Sequence, residues 1–353
     1  MLHGKTVAVV IPAYQEAQQI LKVVRALPAF VDKIVVVDDC SSDGTSEVVL
    51  RFMEQHPETS VLPMAVKSRK TPSTAEAEAK MIPADVLSPD PLRDRIILLR
   101  NVQNGGVGAA VARGYLWCRE HRIACAAVMN GDAQMDPEEL ESICGPVVDD
   151  GVDYVKGNRL IHRSAWLVIP KVRYIGNSIL SLLTKIASGY WRISDTQTGY
   201  TAISLKAMDA LRLEDIYKSY GMPNDMLVKL NIAYCTIREI EITPLYNVGE
   251  QSKMNIMRVI PRISALLVKS FFKRLYIKYF FRDFHPLFIL YHLSFFLLLV
   301  DIPVLLELCS RTVNGGPYPI SLLALLAVLS ISGFQSLIFA MWMDILDNER
   351  LYK

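Results

Sequence analysis

Asn130-Gly131-Asp132-Ala133-Gln134-Met135-Asp136-Pro137 follows directly on the apolar run Ala124 to Met129 and sets a carboxylate and an amide oxygen two residues apart. An apolar run that ends in small and acidic residues reads as a buried parallel strand emerging at a ligand-binding edge. Side chains at i and i+2 of a strand share a face. Asp132 and Gln134 are therefore expected to offer oxygen to one hard divalent cation, Mg2+ or Mn2+, with diphosphate and water filling its other positions. The competing reading is that acidic strand ends are common in α/β proteins. Asp136 is followed by Pro137-Glu138-Glu139, the order of an N-cap, a helix-opening proline and a capping-box glutamate, so capping competes with metal binding there.

The elements that must position these residues come in the order strand, helix, strand. Val7 to Ile11 is a continuous apolar strand, and Pro12-Ala13-Tyr14-Gln15-Glu16 leads into a helix from about 17 to 27. Ile34 to Val37 is the next strand; it ends in Asp38-Asp39-Cys40-Ser41-Ser42-Asp43-Gly44-Thr45 before a helix from about 46 to 55. Such repeats imply a parallel sheet whose ligand lies at the carboxyl ends of the strands. Residues 56–95, rich in proline, read as a surface insertion, and Ile96 to Leu99 resumes the sheet. Asn104-Gly105-Gly106-Val107-Gly108-Ala109-Ala110 then opens a helix. The glycines come at the third unit, not after the first strand, so a dinucleotide fingerprint fits poorly. A glycine-rich turn beside a ligand and a tight strand-to-helix connection fit equally well.

Hydrophobic residues make up 51% of the 353-residue chain, and the excess lies toward its C-terminal end. Leu287 to Leu306, interrupted by His292 and Asp301, and Ile320 to Met343, without a charge, are each long enough to span a bilayer. The polar turn 309–318 makes them a hairpin. Arg258, Arg262, Lys269, Lys273, Arg274, Lys278 and Arg282 precede the first span, against Arg311 alone in the turn, so both termini are expected in the cytoplasm. No signal peptide is legible, and six scattered cysteines point to reduced thiols. A net charge of +2, with the basic residues gathered beside the spans, argues against a nucleic-acid partner. From Pro261, where a helix is expected to open, Arg262, Lys269 and Lys273 share one face of an amphipathic segment. That pattern reads as an interfacial helix on anionic membrane lipid, or as a plain juxtamembrane charge cluster. Asp301 is costly inside a span unless paired; its place near Pro303 favours a structural role.

Val-Ile-Pro-Ala-Tyr-Gln-Glu (10–16), Val-Asp-Asp-Cys-Ser-Ser-Asp-Gly-Thr (37–45), Gly-Gly-Val-Gly-Ala-Ala (105–110), Gly-Asp-Ala-Gln-Met-Asp-Pro (131–137), Gly-Asn-Arg (157–159) and Asp-Thr-Gln-Thr-Gly-Tyr (195–200) stand in one order. Together they resemble the inverting family-2 glycosyltransferases of the GT-A fold. With two C-terminal spans the chain looks most like the polyprenyl-phosphate glycosyltransferases, a group that includes dolichyl-phosphate mannose synthase. The resemblance implies an α/β fold: a GT-A domain, Rossmann-like with a mostly parallel sheet, over 1–250. Juxtamembrane interface helices over 251–284, two transmembrane helices over 285–345 and a cytosolic tail over 346–353 would follow it.

Carried over residue by residue, the resemblance implies that Pro12, Tyr14 and Glu16 line the nucleoside pocket, that Asp39 contacts base or ribose, and that Gly108 and Ala133 border the donor. Asp38, Asp39, Ser41 and Asp43 would equally serve a turn or a helix cap. Asp132 and Gln134 match the metal and diphosphate motif. Arg159 matches an arginine that meets phosphate, a task suited to a bidentate guanidinium; the bland alternative is a surface ion pair. Asp195 matches the acid before the Gly-aromatic pair. Thr201 stands where many relatives carry arginine, which shifts weight for the acceptor phosphate to Arg159, Lys253 and Arg258.

The implied reaction moves one sugar from a UDP- or GDP-sugar to polyprenyl (undecaprenyl or dolichyl) phosphate. A lipid phosphate is already an anion and needs alignment more than a base. A glycolipid or polysaccharide hydroxyl would need a general base. Asp225, in Tyr220-Gly221-Met222-Pro223-Asn224-Asp225, is the candidate, unless it only complements a helix dipole. Asn224 replaces the first acid of the pair kept by processive relatives, and their Gln-x-x-Arg-Trp motif is absent; both favour a single transfer to lipid phosphate. A non-catalytic membrane scaffold is the alternative from another class, and a homo-oligomer is compatible with every reading.

Overall fold

A computed structural model of the chain describes residues 1–56, 72–245 and 256–353. It divides into two units, Met1–Ser270 together with Leu351–Lys353, and Phe271–Arg350.

The first unit is built on an eight-stranded sheet of order β3-β4-β2-β1-β5-β7-β6-β8. Its strands are β1 (Val7–Ala13), β2 (Lys33–Asp38), β3 (Ala84–Val86), β4 (Ile96–Asn101), β5 (Cys125–Val128), β6 (Tyr154–Asn158), β7 (Thr201–Ser204) and β8 (Ile237–Glu241). β4, β2, β1 and β5 run parallel; β7 is antiparallel to both of its neighbours, β6 and β8 are parallel, and β3 is an antiparallel edge. The sheet is thus mixed around a parallel centre. The helices are α1 (Ile20–Ala26), α2 (Thr45–Gln55), α3 (Pro72–Lys80), α4 (Val107–Glu120), α5 (Leu140–Val148), α6 (Ala165–Val168), α7 (Lys171–Ser188), α8 (Leu205–Ala210), α9 (Met222–Ile232) and α10 (Ile256–Tyr276), whose last residues enter the second unit.

Every residue of β1 is buried, as a strand covered on both faces requires. Ala8 and Val10 pack with Val111 and Tyr115 of α4, whereas Val7, Val9 and Ile11 pack with Ile20 and Val23 of α1 and Leu140 and Ile143 of α5. α4 comes close because Gly114 faces Val10; a Cβ there would stand 2.3 Å from a Val10 methyl. Part of the stretch read as an insertion belongs to the fold. Ala77 of α3 is buried in the core, and β3 pairs with Leu99 to Asn101. Its proline content masked a short helix and an edge strand; 57–71 lie outside the described residues.

α10 begins at Ile256, so Pro261 lies within it and does not open it. Ile263 and Leu267 are buried, and Arg262, Lys269 and Lys273 are exposed, as an amphipathic helix demands.

The second unit contains α11 (Pro286–Asn314) and α12 (Ile320–Asn348), both long and apolar enough to cross a membrane. Gly315, left-handed at φ 66°, ends α11. Gly333 lets the two helices approach: a Cβ there would lie 2.9 Å from Leu298. Asp301 accepts a 2.5 Å hydrogen bond from Ser330 of α12, the structural pairing its sequence position called for. Arg274 and Lys278 are not free juxtamembrane charges. Arg274 makes two bonds to Asp344, of 2.7 and 2.8 Å, and Lys278 reaches Asn348 at 2.6 Å, all of them buried.

Candidate functional site

The carboxyl ends of β1, β2 and β5 carry three loops that bind one another through their backbones. Pro12 accepts a hydrogen bond from Gly131 N (3.3 Å), Gln15 N donates to Ser41 Oγ (2.9 Å), and Glu16 N donates to Thr45 Oγ1 (3.1 Å). Gln15 is left-handed at φ 57°, a strained turn in the loop that leaves Tyr14 exposed at 42%. Glu16 lies beside Gly131, where a Cβ would meet its Cγ at 3.4 Å. Pro12, Tyr14 and Glu16 therefore border the same edge as the 130–136 loop.

Two residues expected at the donor also have structural tasks. Asp39 is buried, and its carboxylate accepts from Asn101 Nδ2 (2.7 Å), Gly105 N (2.9 Å) and Gly106 N (2.6 Å). It ties the end of β2 to the glycine-rich turn, a structural task beside the base or ribose contact that the resemblance implies. Gly108 packs against the backbone of Tyr217 and Lys218: its N donates to Lys218 O (2.9 Å), and a Cβ would collide with Tyr217 O at 2.0 Å. The glycine thus permits a close chain crossing.

β5 ends at Val128, so Asp132 and Gln134 stand in a loop and not on a strand end. Ala133 is left-handed (φ 58°), and strand alternation does not relate its neighbours. What joins them is Gln134 N donating to Asp132 Oδ1 at 3.1 Å, an Asx-type turn. Asp136 is an N-cap, accepting from Glu138 N at 3.0 Å, while its carbonyl receives the Tyr200 hydroxyl at 2.8 Å.

That last bond joins the loop to the second half of the site. Gly199 also abuts it, with Asn130 Oδ1 3.6 Å from where a Cβ would be. Four residues earlier, fully buried Asp195 receives Arg159 Nε at 2.8 Å and Nη2 at 3.1 Å, and the amides of Arg159 (3.1 Å), Gln197 (3.2 Å) and Thr198 (3.2 Å). Burial alone would raise its pKa; the Arg159 guanidinium and these donors outweigh it and hold the carboxyl below the usual range. Beneath the pair lies Lys156, buried in β6 and donating to Thr198 O (2.6 Å). Desolvation pushes its ammonium down to about 8, with Asp195 opposing and Arg159 adding to the shift. Glu239 of β8 accepts from the amides of Ser194 and Asp195, both at 2.8 Å, and burial holds its pKa above the ordinary value. Sequence reasoning missed Lys156 and Glu239. The legible signal was a lone lysine in the otherwise apolar start of β6.

Asp225 and Asn224 point to different partners. Asn224 is buried and takes Thr184 Oγ1 (2.9 Å) and Gln197 Nε2 (2.7 Å), beside the Asp195 segment. Asp225 accepts Tyr217 N (2.8 Å) and is ion-paired with Lys229 one turn along α9. The structure so brings Arg159 and Asp195 together, near the 130–136 loop, and holds Asp225 in its own pair. Lys253 lies outside the described residues, as does the side chain of Arg258.

The chain resembles known proteins in both sequence and fold. Glucosyl-3-phosphoglycerate synthase from Mycobacterium tuberculosis, solved with Mn2+, UDP and glucosyl-3-phosphoglycerate, is 16% identical and superposes with a TM-score of 0.47 over 77% of this chain and 80% of that one. A UDP-N-acetylglucosamine–dolichyl-phosphate N-acetylglucosaminyltransferase of Methanococcus voltae is 26% identical over 242 residues, 67% of this chain and 86% of that protein. An uncharacterised protein of Methanocaldococcus jannaschii is 22% identical over 266 residues, 75% of this chain and 92% of that protein. The description of glycosyl transferase family 2 matches residues 8–77 and 71–212, which take in β1 through β7 and every motif from Pro12 to Tyr200, and the chain belongs to that family.

Proposed function

We propose that this glycosyltransferase moves one sugar from a nucleoside-diphosphate sugar to the phosphate of a polyprenyl lipid at the cytoplasmic face of a membrane, with inversion at the anomeric carbon. The Methanococcus voltae relative, named for a UDP-sugar donor and a dolichyl-phosphate acceptor, supports both substrate classes.

The observation that carries the lipid acceptor is α7, which is inside out for a helix in water. Its buried face consists of Ser181, Thr184, Ala187 and Ser188, whereas Ile175, Ile179, Leu182 and Leu183 are 40–58% exposed. A soluble helix turns its aliphatic stripe inward. No acidic residue stands between Arg159 and Asp195, and the segment carries Arg163, Lys171 and Lys185. Apolar side chains edged by cations fit an anionic lipid surface. The excursion that carries α7 begins at Arg159 and ends at Asp195, the two residues clamped to each other, so lipid and phosphate-binding residue share one structural segment.

Asp225 supports phosphate over hydroxyl. It already has partners in Lys229 and the Tyr217 amide, and a phosphate monoester, with its second pKa near 6, needs no base at neutral pH. Asp195 orients the plane of the Arg159 guanidinium, which would meet the acceptor anion. Among the described residues no cluster of three His, Cys, Asp or Glu is placed to hold a metal. A cation here would be shared with the donor's own diphosphate, and the oxygen donors of Asp132 and Gln134 fit Mg2+ or Mn2+ in that role. When bound, it would neutralise charge on the leaving nucleoside diphosphate.

Membranes carrying the full chain, incubated with radiolabelled UDP- and GDP-sugars and polyprenyl phosphate, test the proposal. Label should enter the lipid extract and be released by mild acid, and Asp225→Asn should lower turnover only moderately. An acid-stable product, or complete loss in Asp225→Asn with the fold intact, would point to a hydroxyl acceptor and overturn it.

A further inference from the structure

Gln335 lies in α12 inside the uncharged run Ile320 to Met343, eight residues before its end. At a rise of about 1.5 Å per residue this is roughly 12 Å in from that end, within the hydrocarbon layer of a bilayer about 30 Å thick. Its side chain is exposed, and among the described residues it makes no hydrogen bond. The serines of the same run can bond the carbonyl one turn back in their own helix. A glutamine amide presents two donors and an acceptor, which lipid cannot meet.

α11 cannot meet them either. The side of α12 that faces α11 is marked by Gly333, against Leu298, and by Ser330, bonded to Asp301. At about 100° per residue Gln335 is turned roughly 200° from Gly333, to the far side of the helix. It sits there in a shallow groove among Ile331, Phe334, Ile338 and Phe339. The hairpin therefore gives Asp301 a partner in Ser330 and leaves Gln335 facing outward.

We propose that this face of α12 is the contact for a second copy of the chain, with the two Gln335 amides bonded to each other. Copies inserted with the same topology are related by an axis normal to the membrane, which places Gln335 at equal depth in both. An amide is donor and acceptor at once, so a symmetric pair completes itself. An isoprenoid tail in the groove would offer no hydrogen-bonding group. Interhelical side-chain hydrogen bonds are a recognised glue in bilayers.

The test uses the full chain in liposomes, with the exposed thiol removed as Cys309→Ser. On oxidation, Ile338→Cys should form disulfide-linked dimers well above Leu305→Cys, a lipid-exposed control on α11. Adding Gln335→Leu should cut the dimer yield about threefold or more, the scale of one hydrogen bond between helices in a bilayer. Both variants face outward and leave the packing of α12 against α11 untouched. Equal cross-linking at 338 and 305, or a yield indifferent to Gln335→Leu, would overturn the proposal. So would monomers at every protein-to-lipid ratio, which would assign the amide to a different polypeptide.

Discussion

Arg159 and Asp195, 36 positions apart, are joined by two side-chain bonds of 2.8 and 3.1 Å and by a third from the Arg159 amide. Asp195 is wholly buried, and Arg159 is partly open. The carboxylate is thus the fixed member, and the guanidinium is the part presented to a ligand. Lys156 adds a second cation to the same carboxylate, and Glu239 a second acid beside it, so the site is a network of paired charges.

Each member of the pair can be tested by substitution. Asp195→Asn leaves Arg159 and Lys156 without their countercharge and should destabilise the fold by ~3–5 kcal/mol, read by denaturant unfolding. Arg159→Lys keeps a charge but loses the planar fork. It should raise the apparent KM for the lipid phosphate with little effect on the nucleotide sugar, measured by steady-state kinetics in nanodiscs. A lipid KM that does not move would take Arg159 out of acceptor binding.

Lys156 predicts a pH dependence. At pH 7 it is protonated in both folded and unfolded states, and the folded state carries the whole cost of burying the charge. Between about 8 and its ordinary value of 10.5 the unfolded chain holds the extra proton, so unfolding free energy contributed by this residue rises with pH. Lys156→Met, which never pays that cost, should have a stability advantage over the parent that shrinks by on the order of 3 kcal/mol from pH 7 to pH 10.5. A difference independent of pH would mean that Lys156 does not titrate in this window.

For the metal, Asp132→Asn should remove most transfer activity while the melting temperature stays within a few degrees, because a lost ligand costs charge neutralisation and not core packing. Its turn is retained: an amide oxygen can still accept from Gln134 N, as Asp132 Oδ1 does at 3.1 Å. Chelator should reproduce the loss and added Mn2+ or Mg2+ reverse it. Full activity in chelator would exclude the cation.

The parallel centre of the sheet was legible because β1, β2, β4 and β5 are unbroken apolar runs, and burial on both faces leaves no other pattern available. β3 was not: three residues, one of them Asp85, give no period to read. The motifs fall at the carboxyl ends of β1, β2 and β5, yet they did not show that Asp39 holds the glycine-rich turn or that Gly108 lies against the chain at Tyr217 and Lys218. A carboxylate that organises a turn and one that touches a ligand look alike in sequence, and so do a glycine yielding to phosphate and one yielding to the carbonyl of Tyr217. The pairing of Arg159 with Asp195 bridges two intervening helices, α6 and α7, a separation no local pattern encodes. In α7 the outward aliphatics were present in the sequence, but their direction depends on what Ser181 and Thr184 face.

Tyr352 forms a bridge with Ile237, and Arg238 Nε bonds Lys353 O across 115 positions. β8 is the last strand of the sheet, so part of its edge is closed by a segment that lies beyond both apolar helices. At about 5–20 residues per second of synthesis, that edge waits on the order of ten seconds for its partner, through the whole period in which the two apolar helices are made. An unpaired strand is a template for other chains during such an interval. On the membrane reading proposed above, delivery of the hairpin to a bilayer would set a clock on the first unit, whose sheet is finished only by residues made after both helices.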